Sequence, residues 1–434
     1  MFLSVDDRRD TAAQGFTSVW EVSATPGVVF PALSSDAKAD VAIVGGGYTG
    51  LSAAIELAER GARVIVLEAR ESGWGASGRN GGQAIPGLKY DPPDLIKKYG
   101  PEFGGRIADF VGDAPQLVFD LIARHNMSCD AKRSGWIQPA HNGAMEGLLR
   151  RRAESWAARG ADVEILDHAR LSSLLGSESY RTGWLDKRAG CLNPLSYARE
   201  LARVAASLGA AIHSQSPVSA LERTAGGYRL SCNGRSVEAR QVVLATNGYT
   251  DALWPGLAQT IIPAHSFQIA TEPVDEAIRR TILPQGHVSS DSRRVLLYFR
   301  FDADGRFLMG GVGSVAEPAD RSTFGHLYDA TRHIFPQMTA PFVFHWYGRV
   351  AITQDFLPHL HEPAPGLHAA LGYNGRGVAM ATALGSLLAR RVNGEPAESL
   401  PFPTTPIRRI PFHGLRNLYV AAARTYYRLR DVTA

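Results

Sequence analysis

From residue 41 the chain alternates short apolar blocks with longer stretches of helical period. Val41-Ala42-Ile43-Val44 and Val64-Ile65-Val66-Leu67 are unbroken apolar runs of strand length, the pattern of strands buried on both faces. Between them, residues 51–60 place apolar side chains on one helical face, and Gly61 stands where a helix ends. Residues 1–38 lack such a period and read as an irregular lead-in rich in Ser, Ala and Pro. Past residue 89, proline-punctuated helices are predicted at 94–99, 117–125 and 150–159. A helix at 196–208 and strands at 218–222, 228–232 and 237–246 resume the alternation. Runs at 261–271, 294–301 and 306–313 suggest strands of a separate sheet, and a helix over 379–391 runs into Asn393-Gly394. The first pattern is interrupted and resumed, with a second unit inserted.

The turn out of the first strand is Gly45-Gly46-Gly47-Tyr48-Thr49-Gly50. It fits G-x-G-x-x-G: Gly45 permits the tight turn, Gly47 lets backbone approach a pyrophosphate, and Gly50 lets the helix lie close to the strand. The diphosphate would sit at the positive end of the helix, beside Tyr48 and Thr49. Glu68 ends the second strand about twenty residues on, where a ribose-binding carboxylate belongs, and Ala69 and Arg70 follow it. A glycine-rich turn beside a surface glutamate is the alternative; the strand, motif, helix, strand and acid in this order argue against it. The motif implies a dinucleotide without separating FAD from NAD. A second run, from Ser72 to Gln83, contains Gly75, Ala76, Ser77, Arg79, Asn80, Gly81 and Gly82. So many positions without bulk suit a backbone lying against a flat ring and a diphosphate.

At 434 residues the chain exceeds one ordinary core, and two domains are expected. Its formal charge of +4 is weak, with Lys and Arg dispersed among acids, so no nucleic-acid footprint is present. Cys129, Cys191 and Cys232 are too scattered for a zinc motif or a disulfide framework; no metal is expected, and a reducing, cytoplasmic compartment is the simplest reading. Met1 to Leu3 is followed at once by Asp6-Asp7-Arg8-Arg9-Asp10, unlike a signal peptide. No apolar stretch approaches the roughly 20 residues that cross a bilayer, which leaves peripheral membrane contact open.

Further runs complete a pattern: Val242-Val243-Leu244-Ala245-Thr246-Asn247-Gly248-Tyr249, Tyr298-Phe299-Arg300 with Gly310-Gly311, and Gly372-Tyr373-Asn374-Gly375-Arg376-Gly377-Val378. With the two glycine runs they resemble, in order and spacing from about residue 17 to the end, the D-amino-acid oxidase-like family of FAD-dependent oxidoreductases, and within it the γ-glutamylputrescine oxidase branch. The resemblance implies FAD as cofactor. It also implies an α/β protein with a discontinuous Rossmann-type FAD-binding domain (1–88, 191–255 and 346–434). An α+β substrate domain with a mainly antiparallel sheet would occupy 89–190 and 256–345. Val218, Ala245, Thr246, Asn247, Gly348, Arg349, Gly372, Asn374, Gly375, Gly377 and Val378 join the cofactor contacts on the same basis. The loop from 372 to 377 would run beside the flavin, its helix N-terminus favouring negative charge on the reduced ring, with Arg376 or Arg349 adding a full charge; for either arginine a surface ion pair is the alternative.

Sarcosine oxidases of this wider family bind flavin through a cysteine, where this chain has Val350 or a neighbour, so noncovalent FAD is expected. They also carry a lysine that promotes reaction with oxygen; Gly305-Arg306-Phe307-Leu308-Met309-Gly310 has none, and only Arg306 stands in. For the substrate side the candidates are His265, Gln268, Tyr298, Arg300, His345, Trp346, Tyr347 and Tyr373. Arg300 with Tyr298 is the preferred carboxylate anchor, whereas His265 and His345 read more readily as structural histidines than as substrate contacts. The expected reaction is oxidation of a small-molecule amine or amino acid to an imine by hydride transfer to flavin N5. Suggested substrates are γ-glutamylputrescine, pipecolate or sarcosine, with oxygen or another electron acceptor as second partner. A dehydrogenase serving a quinone or carrier protein is the alternative in the same class; an RNA-modifying or non-catalytic flavoprotein subunit is the alternative outside it.

Overall fold

The structure is a computed structural model that describes residues 16–313 and 316–422; the charged stretch at 6–10 lies outside them. Each large sheet has eight strands. In the first, the order runs His359–Ala364, Leu367–Leu371, Arg235–Leu244, Ala37–Val44, Val64–Leu67, Ala211–His213, and the hairpin of Val218–Thr224 and Gly227–Cys232 pairs off Arg235–Leu244. The pairings from Leu367–Leu371 through to Ala211–His213 are all parallel. Val44 lies level with Leu67 on one side and Leu244 on the other, and Leu244 pairs with Ala369. The carboxyl ends of these strands therefore finish together, and Gly45, Glu68, Ala245 and Gly372 follow them along one edge. In an open parallel sheet this edge is where a ligand binds.

The second sheet runs Phe342–Thr353, Ile261–Pro273, Arg306–Val312, Leu297–Phe301, Val288–Ser290, Trp136–Pro139, Gly183–Asp186, Val163–Leu166. All its pairings are antiparallel except that of Val288–Ser290 with Trp136–Pro139. The strand Phe342–Thr353 belongs to it over its whole length, so a boundary at 345/346 cuts through a strand.

Two other expectations change. The helix expected only at 117–125 runs unbroken over Pro101–Arg124, through Pro115. A proline cannot bond the carbonyl four residues back, and here the released Val111 carbonyl accepts the Gly87 N–H at 2.8 Å. The lead-in is not wholly irregular: Val19–Ser23 is a short helix capped by Ser18. Its Trp20 is buried edge-on against Trp346.

The helices Tyr48–Glu59, Pro101–Arg124 and Gly377–Val392 share one core with the first sheet. Gly385 is required where the last meets the first of these, since a Cβ there would lie 2.4 Å from the Thr49 carbonyl. Among the described residues no helix is long and apolar enough to cross a membrane.

Candidate active site

A cleft of about 2160 Å³ runs along the carboxyl edge of the first sheet and on to the face of the second. Ligand pockets commonly hold about 300–1,000 Å³, so it has room for a dinucleotide and a second molecule. Its narrow end is the first glycine turn. Gly45 has φ +110°, and a Cβ on it would press against the Ala245 carbonyl at 2.9 Å. A Cβ on Gly47 would meet Ser77 Oγ at 2.8 Å, the atom that accepts the Tyr48 N–H at 3.0 Å. Tyr48 contributes this backbone group only, because its ring is buried and its hydroxyl donates to the Pro194 carbonyl. Gly50 lies outside the cleft, under the turn, where a Cβ would collide with the Gly45 carbonyl.

Glu68 accepts the Gly46 N–H at 2.6 Å and the Arg70 N–H at 2.8 Å, one on each carboxylate oxygen. Burial raises its pKa, and these backbone donors act against that rise. A carboxylate has about four acceptor sites, so capacity remains for a sugar hydroxyl. Ala69, Arg70 and Val218 line the same end.

The second glycine run is held from behind. The Arg79 carbonyl accepts from Gln268 at 2.6 Å and Trp346 at 3.0 Å, the Asn80 carbonyl from Trp20 at 2.9 Å, and the Gly81 carbonyl from Arg300 at 2.6 Å. Within a trans peptide the C=O and the following N–H point opposite ways. The N–H groups of Asn80 and Gly81 are thus turned from the second sheet toward the cleft these residues line, and they make no hydrogen bond among the described residues. They are donors waiting for a ligand's acceptors. The Asn80 side chain closes the turn, donating to the Ala76 and Ser77 carbonyls and accepting the Gly82 N–H. Arg79 itself stacks 4.4 Å over Trp74, and Gly75 and Ala76 line the cleft beside it.

Opposite lies the loop before the helix Gly377–Val392. Asn247 accepts the Gly372 N–H, and Asn374, at φ +50°, accepts the Thr353 N–H. An added Cβ on Gly375 or Gly377 would meet nothing within 4 Å. The backbone here faces open cleft, and the unpaired N–H groups of the helix start supply positive potential. Thr246, Gly348, Arg349 and Val378 complete this wall. Arg349 sits 5.2 Å from the Tyr249 ring and 3.9 Å from Glu317.

The expected substrate residues separate. His265, Tyr298, Tyr373, Arg376 and Gln268 line the cleft; Arg300, His345, Trp346 and Tyr347 do not. Arg300 is the main correction: it is 4% exposed, its three donor nitrogens bond the Gly81, Leu192 and Phe301 carbonyls, and its plane lies over Trp20. Buried behind the cleft wall, it braces the glycine run instead of meeting a substrate. Gly82 and Gly372 also lie behind the wall rather than in it. Arg306 is held by Asp302 and Asp304 away from the cleft and cannot stand in for a lysine there. His345 bonds the Tyr328 hydroxyl. Tyr373 links the two glycine loops, its hydroxyl 2.6 Å from Thr49 Oγ1, and Tyr298 meets Ser266 Oγ at 2.8 Å; burial raises the pKa of both phenols.

Arg376 reaches the far compartment, 5.0 Å over the Trp136 ring. Among the described residues no acid lies within ion-pair distance of it. Burial lowers its pKa to about 10, so it stays cationic at neutral pH. Around it the wall holds Gln138, His141, Arg152, Arg294 and Lys89 beside Met145, Leu148 and Phe356. Sequence reading missed these because no motif marks them. Met145, Leu148 and Arg152, at helical spacing, do share one face of Gly143–Ala157.

A phosphate-type glycine turn on a helix start, a ribose-type carboxylate and a cleft continuing onto a second sheet define a dinucleotide-binding oxidoreductase. The FAD dependent oxidoreductase family profile matches residues 40–391, and the chain belongs to that family. It is 31% identical, over 93% of its length, to the Probable oxidoreductase OrdL of Haemophilus influenzae and covers 94% of that protein. To the Gamma-glutamylputrescine oxidoreductase of Escherichia coli it is 30% identical over 96% of its length, covering 98% of that protein. Its fold is similar to glycine oxidase from Geobacillus kaustophilus, with TM-score 0.72 at 23% identity, covering 86% of this chain and 100% of that one. A form of L-amino acid deaminase from Proteus vulgaris lacking its insertion sequence gives 0.73 at 20%, covering 92% and 100%. The protein is an FAD-dependent enzyme. The geometry fits the group: bare glycine backbone at the turn, a carboxylate with sites to spare, and unpaired N–H donors on facing walls.

Proposed function

We propose that the enzyme oxidises the C–N bond of an amine that also carries a carboxylate, such as γ-glutamylputrescine or a secondary amino acid like pipecolate or sarcosine. The observation that carries this reading is Arg376, a cation with no acid within ion-pair distance among the described residues, set at the far end of the cleft with Arg152, Arg294 and Lys89 beside Met145, Leu148 and Phe356. A carboxylate would meet it in a charge-assisted, two-pronged contact. Tyr298, Leu296 and Phe356 line the same cleft, and apolar and aromatic surface of this kind would displace water once cofactor and substrate fill it, which favours the neutral amine over ammonium. Its lone pair then assists loss of hydride from the adjacent carbon, and the imine is released and hydrolysed. Bound FAD supplies the hydride acceptor at N5. No acid–base pair is needed, in keeping with half-buried Tyr298 and buried Tyr373 held protonated. We assign Gly45, Gly47, Glu68, the Asn80–Gly81 turn and the Gly375–Val378 helix start to holding FAD. It is held noncovalently: of the three cysteines, all buried, none lines the cleft.

The test is an anaerobic stopped-flow screen of the yellow protein against γ-glutamylputrescine, putrescine, pipecolate, sarcosine and simple D-amino acids. Fast bleaching by a carboxylate-bearing amine, with its decarboxylated counterpart slow, is expected. Bleaching by none of them, or equal rates with and without the carboxylate, would overturn the reading. The dehydrogenase alternative keeps support from the cleft wall, whose single lysine among the described residues, Lys89, lies over Phe356 beside Arg294. Admitting air to the bleached protein separates the two, because only an oxidase recovers its colour quickly.

A further inference from the structure

After Glu398 the chain carries no acid until Asp431, but it carries Arg408, Arg409, Arg416, Arg424, Arg428 and Arg430. Within the described part of this segment, large apolar side chains stand in solvent: Phe412 is 81% exposed, Leu415 55% and Leu418 70%. These three are among the most exposed large hydrophobics of the described residues, and they gather within seven positions. Arg408 is exposed beside them and makes no ion pair among the described residues. The segment is anchored from its other side. The Ile410 N–H donates to the Gln259 carbonyl at 2.8 Å, and the His413 ring meets the Ile261 carbonyl at 2.8 Å. Arg409, His413, Arg416 and Asn417 line the mouth of the cleft. One face thus touches the active-site opening while the other offers aromatic and aliphatic tips among arginines.

We propose that this face docks the enzyme on an anionic lipid bilayer. Exposed apolar tips interleaved with arginine are the composition that lies in a membrane interface, tips among the acyl chains and guanidinium groups among the phosphates. A protein partner could cover the apolar tips, but it would not call for thirty-two consecutive residues, 399–430, free of acid. A nucleic acid would use the arginines and leave Phe412, Leu415 and Leu418 unexplained. Docking in this pose holds the mouth of the cleft beside the lipid phase. Substrate enters from the water, and a lipid-soluble electron acceptor has the shorter path.

The test uses the full-length flavoprotein in sedimentation with vesicles of phosphatidylglycerol mixed with phosphatidylcholine, and with phosphatidylcholine alone. Binding to the anionic vesicles only, and release by salt, is expected. Phe412→Ser/Leu415→Ser/Leu418→Ser should weaken binding more than tenfold, and Arg408→Gln roughly fivefold, both with the flavin spectrum and amine-driven bleaching unchanged. Absence of wild-type binding at low salt would overturn the proposal. So would wild-type binding by the triple variant, since the patch would then be a plain polyanion site. A shift from dimer to monomer on the triple substitution, without vesicle binding by the wild type, would assign the face to a second copy of the chain instead.

Discussion

Two arginines in this enzyme have exchanged the roles their sequence contexts suggest. Arg300 sits in a strand whose motif implies a substrate contact, yet each of its three side-chain nitrogens holds a backbone carbonyl. Arg376, a residue in a glycine-rich loop, lines the cleft with no acid within ion-pair distance among the described residues. The two assignments give opposite kinetic signatures. Arg376→Leu should raise KM for a carboxylate-bearing amine roughly a hundredfold, the scale for truncating one member of a buried charge pair. The decarboxylated analogue should lose little, and steady-state kinetics with the matched pair reads the difference. Arg300→Lys, which keeps the charge and loses the fork, should weaken FAD affinity and leave KM alone. A fluorescence titration of the apoprotein with FAD checks this; a raised KM with FAD affinity intact would return Arg300 to the substrate. Sequence could not tell the two arginines apart because side-chain direction depends on which carbonyls lie opposite, and those come from residues 81, 192 and 301.

At the level of elements, the turn between the first strand and helix was legible, because each glycine answers a local need: a positive φ, a close backbone, a packed helix; the strand starts at Ala37 and the helix at Tyr48, each a few residues before the apolar pattern that marked it. Gly45→Ala tests that reading. With φ +110° and a carbonyl 2.9 Å from the new methyl, the variant should purify colourless and lose roughly 1–3 kcal/mol of stability. A yellow, stable Gly45→Ala protein would mean the turn has room that the geometry denies it. The long helix through Pro115 was not legible, because its continuity rests on Gly87 reaching across to a carbonyl that proline had released. The short Val19–Ser23 helix was hidden for a similar reason: only Trp346 and the Asn80 carbonyl, far off in sequence, give Trp20 its place.

For the whole molecule, buried histidines set the response to acid. Burial holds His345, His361 and His368 at a pKa of about 4, against 6.5 when exposed. They are neutral in the folded chain and take up protons on unfolding, so stability falls as pH drops from 6.5 toward 4. Each contributes at most about 1.4 kcal/mol per pH unit in that window. Glu68 and Asp291, raised by burial, act in the opposite sense, so the clean readout is a difference. His368→Gln should flatten the dependence of the unfolding free energy on pH by about one proton between pH 6.5 and 4; an unchanged slope would show that His368 titrates normally. The same long-range wiring bears on synthesis. Trp20 leaves the ribosome early, but the Trp346 that pins the preceding carbonyl of the same turn is made more than three hundred residues later. At roughly 5–20 residues per second that is a wait of tens of seconds. Over that interval the nascent chain has a nucleotide loop without its backing, so flavin capture should come late in synthesis, and flavin-free chain should be the species that chaperones and proteases meet first.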